Sequence, residues 1–80
     1  MTIREYLKKN AFQQQDAGKY GNLEVFDLGS TRVCWEPDDE TWSLIKFDGR
    51  VGYSSCKWQI NFPNVPEAIV LVTIKAAIGR

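Results

Sequence analysis

The chain of 80 residues contains no histidine. Histidine is the usual general base near neutral pH and the commonest metal ligand, so the Ser–His and Cys–His nucleophile pairs are excluded with it. The two cysteines are isolated and cannot build a standard zinc site alone. There is neither a GxxxxGK[ST] loop nor a GxGxxG segment after a strand. We therefore expect a protein that is not an enzyme, with no catalytic residues, no metal site and no cofactor.

Long apolar runs and net charge are lacking as well. The most apolar stretch, residues 68–74, is far shorter than the roughly 20 residues of a membrane-spanning helix. The formal net charge is zero, so no global field attracts nucleic acid or acidic membranes. The first ten residues are polar and lack the apolar core of a secretory signal. These features predict a cytoplasmic protein without membrane contact and with reduced thiols.

The N-terminal residues have the pattern of an amphipathic helix. Thr2 and Glu5 fit a capping box, in which each side chain satisfies a free N–H at the helix start. Apolar residues then recur at helical spacing. We predict a helix over residues 3–16 that stops near Gly18.

The middle of the chain has the pattern of a meander of short strands. Asp48-Gly49 lies between two apolar runs and fits a two-residue type I′ hairpin. In residues 56–62 apolar and polar side chains alternate strictly, which predicts one buried and one wet face. The predicted strands are 23–28, 32–36, 41–47 and a fourth that returns at 50–53 and continues, after a bend, over 56–62.

The last segment is ambiguous between strand and helix. Its β-branched residues favour a strand. Asn64 with Glu67 resembles a capping pair, Pro66 suits a first turn and Gly79 suits a helix end, so we predict a helix over 65–78. This helix is apolar nearly all round and needs cover on more than one side, which a partner or a second copy, as a homodimer, could supply. The whole chain is then one α+β domain over residues 1–80, with an N-terminal helix, a four-stranded antiparallel meander sheet and a C-terminal apolar helix.

An acidic segment stands out in the middle of the chain. Residues 21–48 carry seven acids and two bases, whereas both flanking blocks are basic. Four of the acids are close together: Glu36, Asp38, Asp39 and Glu40. Three interpretations stay open: a solvated loop, a patch that contacts a protein, or a carboxylate site for metal or catalysis, although the spacing of an EF-hand is missing.

The cysteines have alternative interpretations too. Buried structural thiols are expected for Cys34 and Cys56, and a disulfide between two strands is the alternative. A neighbouring cation, Arg32, could lower the pKa of Cys34 and make it reactive.

Aromatic and basic residues supply further contact candidates. Trp, Tyr and Arg dominate interface hot spots. Trp42, Arg50 and Tyr53 are therefore candidates for protein contact in addition to the acidic segment. The same residue types could instead stack on single-stranded bases while Lys46, Arg50 and Lys57 hold the phosphates.

The absence of catalytic groups, the split charge and the surplus of aromatic residues together favour a small protein-binding module. We expect an inhibitor or adaptor that covers a surface of a larger protein or complex. This profile is common among accessory proteins of phages and other mobile elements, many of which block a host complex in this way. The alternative is a single-stranded nucleic-acid-binding protein that uses aromatic and basic sheet residues, and a third hypothesis is a small metal-dependent enzyme.

Overall fold

A computed structural model describes residues 1–79 and has two helices and a five-stranded antiparallel sheet. The strands follow one another across the sheet in chain order, as a meander. The predicted α+β class is confirmed, with one strand more than expected. The elements are α1 Ile3–Lys9, β1 Gln13–Gln14, β2 Glu24–Leu28, β3 Thr31–Glu36, β4 Thr41–Phe47, β5 Cys56–Pro63 and α2 Glu67–Ile78.

Helix α1 begins where the sequence predicts and ends one to two turns earlier. The capping box is present, with the Thr2 hydroxyl accepting from the Glu5 N–H at 3.1 Å and the Glu5 carboxylate accepting from the Thr2 N–H at 2.9 Å. The helix stops because Ala11 is left-handed, with φ 66°. The Phe12 N–H donates to the Leu7 carbonyl and the Ala11 N–H to that of Lys8, which is a Schellman motif without its usual glycine. Gly18 is therefore not the stop, and the released residues supply β1.

The predicted Asp48-Gly49 hairpin is wrong. Among the residues with positive φ, this loop contributes only Gly52, so Asp48 and Gly49 do not adopt a type I′ turn. Residues 48–55 instead form one long loop that the Asp48 N–H closes by donating to the Ser55 carbonyl at 2.9 Å. The Val51 N–H donates to the Gly29 carbonyl and ties the loop to the β2–β3 turn. Residues 50–53 are consequently not a strand.

Helices α1 and α2 both pack on the same face of the sheet. Phe26, Val33 and Leu44 lie opposite one another on β2, β3 and β4, so they share this face. They belong to the buried core, which also contains Ile3 and Leu7 of α1, Val70 and Ile74 of α2, and Tyr6, Phe12, Trp42 and Phe62. The other face of the sheet carries no helix, and we call it the open face.

Helix α2 is confirmed and begins two residues later than predicted. Its N-cap is Pro66, without a side-chain cap, so the expected Asn64–Glu67 capping pair does not form. Glu67 accepts instead from the Ile3 N–H of α1, at 3.4 Å. The end at Gly79 is as predicted, since this residue is left-handed with φ 74°. Neither helix within residues 1–79 is long and apolar enough to span a membrane.

Candidate functional site

The open face of β3, β4 and β5 forms a broad, shallow depression of about 780 Å³. Its floor carries neutral hydrogen-bonding side chains. The Ser43 hydroxyl donates to the Asn61 side-chain oxygen at 2.9 Å, and the Gln59 amide donates to the same oxygen at 2.9 Å. The lining residues are Leu23, Cys34, Glu36, Asp39, Thr41, Ser43, Ile45, Gln59, Asn61 and Pro63.

Two carboxylates of the acidic segment stand at the rim of this depression. Residues 36–40 comprise the end of β3 and the turn that leads to β4, and we call them the acidic turn. Glu36 and Asp39 line the depression, while Asp38 and Glu40 are exposed beside it. Among the residues that the structure describes, no lysine or arginine joins the lining. The depression is therefore neutral on its floor and negative at one end.

The other half of the open face is covered by the segment of residues 15–23. The Tyr20 hydroxyl accepts from Arg32 at 3.1 Å, and the Arg32 guanidinium lies 4.8 Å from the centre of the Tyr20 ring. Arg32 also forms a bidentate ion pair with Asp27, its cross-strand neighbour, at 2.7 and 3.0 Å. These hydrogen bonds raise the pKa of Arg32 above its usual value. Arg32 thus fixes this segment onto the sheet.

The predicted contact residues lie at two opposite ends of the molecule. Arg50 and Tyr53 are in the loop of residues 48–55, with the Arg50 guanidinium 5.7 Å from the centre of the Tyr53 ring. This ring is 84% exposed. The loop contacts the β2–β3 turn, whereas the acidic turn joins the far ends of β3 and β4. The six residues of β3 separate the two ends by roughly 17–20 Å.

Trp42 does not fit the predicted role of an exposed contact anchor, and this is a correction. It is 6% exposed, because it points to the helix-covered face and packs against Trp35, with ring centres 5.1 Å apart. The Arg4 guanidinium of α1 lies 5.2 Å from the Trp42 ring centre and forms an ion pair with Glu24 at 2.8 Å. The most exposed of the three tryptophans is Trp58 of β5, at 38%, while Trp35 is half-buried.

The cysteines are both free, one buried and one exposed. Cys34 is buried under the open face, as expected, whereas Cys56 is exposed, contrary to the expectation of two buried thiols. Burial raises the pKa of Cys34 to about 11, and this effect exceeds the opposing attraction of Arg32. At neutral pH the thiol therefore stays protonated and is a poor nucleophile. Within residues 1–79, no three His, Cys, Asp or Glu side chains are grouped so that they could hold a metal ion.

The polar floor of the depression was not predicted from the sequence. Gln59 and Asn61 are the wet half of the strictly alternating β5 segment, so the signal that places them on one face was present. The alternation identified a solvated face of β5, but it did not indicate that Thr41 and Ser43 of β4 would lie beside Gln59 and Asn61. That arrangement follows from the pairing of Ser43 with Asn61 and of Thr41 with Pro63.

Comparison with protein-family models, with curated proteins and with solved structures finds no match for this chain.

Proposed function

We propose that this chain is a non-enzymatic protein-binding module, an inhibitor or adaptor that covers a surface of a larger protein or complex. The observation that carries the proposal is the open-face depression with carboxylates at its rim. A neutral floor of hydroxyl and amide groups suits hydrogen bonds with a polar polypeptide surface. The acidic turn suits a partner that presents lysine or arginine side chains there.

The depression fits a macromolecular surface better than a small ligand. Small-molecule sites are enclosed and mostly apolar. This depression is open rather than enclosed, and its polar groups lie among apolar side chains such as Ile45 and Leu23. A partner would therefore contact the turn and the floor together, and the four carboxylates of the acidic turn would speed association by attraction at long range.

Single-stranded nucleic acid is the weaker alternative on this geometry. Trp35, Trp42 and Trp58 share the helix-covered face with Lys46, because Trp35 pairs with Trp42 and Trp58 pairs with Lys46 in the sheet. Base stacking needs aromatic rings and phosphate-binding cations on one accessible face. The depression on the open face is lined by neutral side chains and carboxylates instead, without a lysine or arginine among its described lining residues.

The experiment is quantitative capture of partners from lysate of the source cells, after nuclease treatment, by the wild-type chain and two variants of equal charge change. The test variant is Asp38→Asn/Asp39→Asn. The control variant is Asp16→Asn/Asp48→Asn, which removes two carboxylates elsewhere on the surface. We expect the wild type and the control to retain one stoichiometric protein that the test variant loses. Equal recovery of that protein by both variants would refute the role of the acidic turn. In a parallel capture without nuclease treatment, recovery of nucleic acid alone would favour the nucleic-acid-binding alternative.

A further inference from the structure

Strand β5 is a long, unprotected edge of the sheet. It pairs only with β4, and it has eight residues, whereas the opposite edge strand, β1, has two. Natural edge strands are kept short, charged or covered, because their free backbone groups otherwise pair with another strand. The single charged residue of β5 is Lys57, and Pro63 lies at its end. The stretch between them is open to pairing.

Two apolar side chains of β5 are left partly uncovered by the helix layer, whereas Phe62 is buried. Trp58 and Ile60 point to the same face as the buried core, since Ile60 lies opposite Leu44. Their exposures are nevertheless 38% and 40%, whereas Leu44 is fully buried. Helix α2 packs against β4 and stops short of covering the edge.

The flank of α2 that faces this edge is uncharged. Both charged residues of the helix lie toward α1, with Glu67 bonded to the Ile3 N–H and the Lys75 ammonium 5.4 Å from the Tyr6 ring centre. At 3.6 residues per turn, Ile69 and Thr73 fall on the opposite flank. Ile69 is 54% exposed, and the Thr73 hydroxyl donates to the Ile69 carbonyl, so this flank presents mostly carbon. Val72, at 65% exposure, continues the surface outward.

We propose that two copies of the chain form a symmetric dimer through antiparallel pairing of β5 with β5 and packing of the uncovered α2 flanks. A two-fold axis at Gln59 pairs the strands from Cys56 to Phe62 and keeps all the helices on one face of a ten-stranded sheet. In this register Trp58 lies opposite Ile60 of the second copy, an aromatic and β-branched pair that stabilises antiparallel strands. The proposal does not depend on the function proposed above.

The charges of the chain fit this arrangement. Lys57 lies opposite Asn61 of the second copy, so no like charges meet across the strands. The acidic turn joins β4 near Pro63, and the loop of residues 48–55 precedes β5 at its other end. Antiparallel pairing therefore brings residues 36–40 of one copy and residues 46–57 of the other to the same end of the dimer. The first segment carries four carboxylates and the second carries three bases and one acid, so their charges attract.

The available area suits a modest affinity. Seven paired residues extend about 24 Å, and one sheet with its helix layer is roughly 20 Å deep. The footprint is then roughly 500 Å² per copy, or about 1,000 Å² in total, which is the lower end of specific interfaces. The overall extents of 30 × 29 × 23 Å accommodate such a side. We expect a dissociation constant that is roughly micromolar or weaker.

The first test is the mass of the untagged chain by light scattering over a dilution series. We expect twice the monomer mass of 9.2 kDa at high concentration and the monomer mass on dilution. Val72→Glu, on the exposed α2 flank, should shift the chain to monomer throughout. Gln14→Glu, on an exposed residue of β1 at the opposite edge of the sheet, should leave the dimer intact. A wild-type chain that stays monomeric at a concentration of about 1 mM would overturn the proposal, because association weaker than that is not specific dimerisation. So would a Val72→Glu variant that still dimerises.

The second test fixes the register by a site-specific disulfide. In a Cys56→Ser background, Gln59→Cys places two thiols on the two-fold axis, where directly opposite Cα atoms are about 4.5–5.5 Å apart, within the range of a disulfide. The matched control is Lys57→Cys, which lies on the same face of the sheet. In this register the two Lys57 positions are offset along the strands by four residues, so about 14 Å separates them. We expect oxidation to yield covalent dimer from Gln59→Cys and little from Lys57→Cys. Equal yields from both variants, or none from Gln59→Cys, would overturn the register.

Discussion

The left-handed Ala11 gives the sharpest prediction for stability. An L-residue with a Cβ loses roughly 1–2 kcal/mol in the left-handed region, and glycine does not. Ala11→Gly removes this cost at φ 66° and keeps the two Schellman hydrogen bonds to Leu7 and Lys8, which involve the backbone alone. Glycine also adds entropy to the unfolded chain, which costs about 0.4–1 kcal/mol. The net expectation is a gain of about 0.5–1 kcal/mol in the free energy of unfolding.

Urea denaturation of wild type and variant, followed by tryptophan fluorescence, measures this difference. In a domain of this size a gain of 1 kcal/mol corresponds to a rise in Tm of about 4–8 °C. The matched control is Ala76→Gly, the same substitution at an exposed position inside α2, which should lose about 1 kcal/mol. If Ala11→Gly also loses stability, α1 does not end in this motif and the reasoning is refuted.

Three further predictions concern Tyr6 and the two cysteines. Tyr6 is 6% exposed, and its hydroxyl has no hydrogen-bond partner among residues 1–79. Tyr6→Phe should therefore raise the free energy of unfolding by about 1 kcal/mol, measured by urea denaturation. A lower free energy of unfolding would mean that the hydroxyl is satisfied in solution. At neutral pH, a chromogenic disulfide reagent should modify Cys56 in the native chain and Cys34 only after unfolding. Rapid modification of Cys34 in the native chain would contradict its burial. Because the pKa of Cys34 is raised to about 11, the folded state keeps the thiol proton to a higher pH than the unfolded state does. The free energy of unfolding should therefore fall as pH rises from about 9 to 11. Cys34→Ala should make this pH dependence weaker.

The fold class could be predicted from the sequence because local signals agree with the tertiary structure over most of the chain. The Thr2–Glu5 capping box, the strand over residues 56–62 and the stop at Gly79 all appear as predicted. The buried face expected for β5 is wrong except at Phe62, because the helices do not cover this edge of the sheet. The errors arise where long-range contacts override local chemistry. Asp48-Gly49 has the residues of a tight hairpin, yet the bond from the Val51 N–H to the Gly29 carbonyl holds a longer loop against another turn.

The candidate site could be predicted only in part, for a similar reason. The acidic turn was visible as a run of carboxylates. Which face Trp42 occupies depends on strand pairing and on Arg4 of α1, and neither can be read from the residues around Trp42. The polar floor of the depression likewise requires two strands in a particular register.

The contact between α1 and α2 has a consequence for how the chain is made. Every strand pairs with its neighbour in sequence, so the sheet can assemble hairpin by hairpin through contacts that are local in the chain. The bond from the Ile3 N–H to Glu67 instead joins residues 64 positions apart. During synthesis the part of the apolar face under α2 therefore stays uncovered until that helix has left the ribosome. A chain that stops before residue 67 would expose this part of the face and be prone to aggregate.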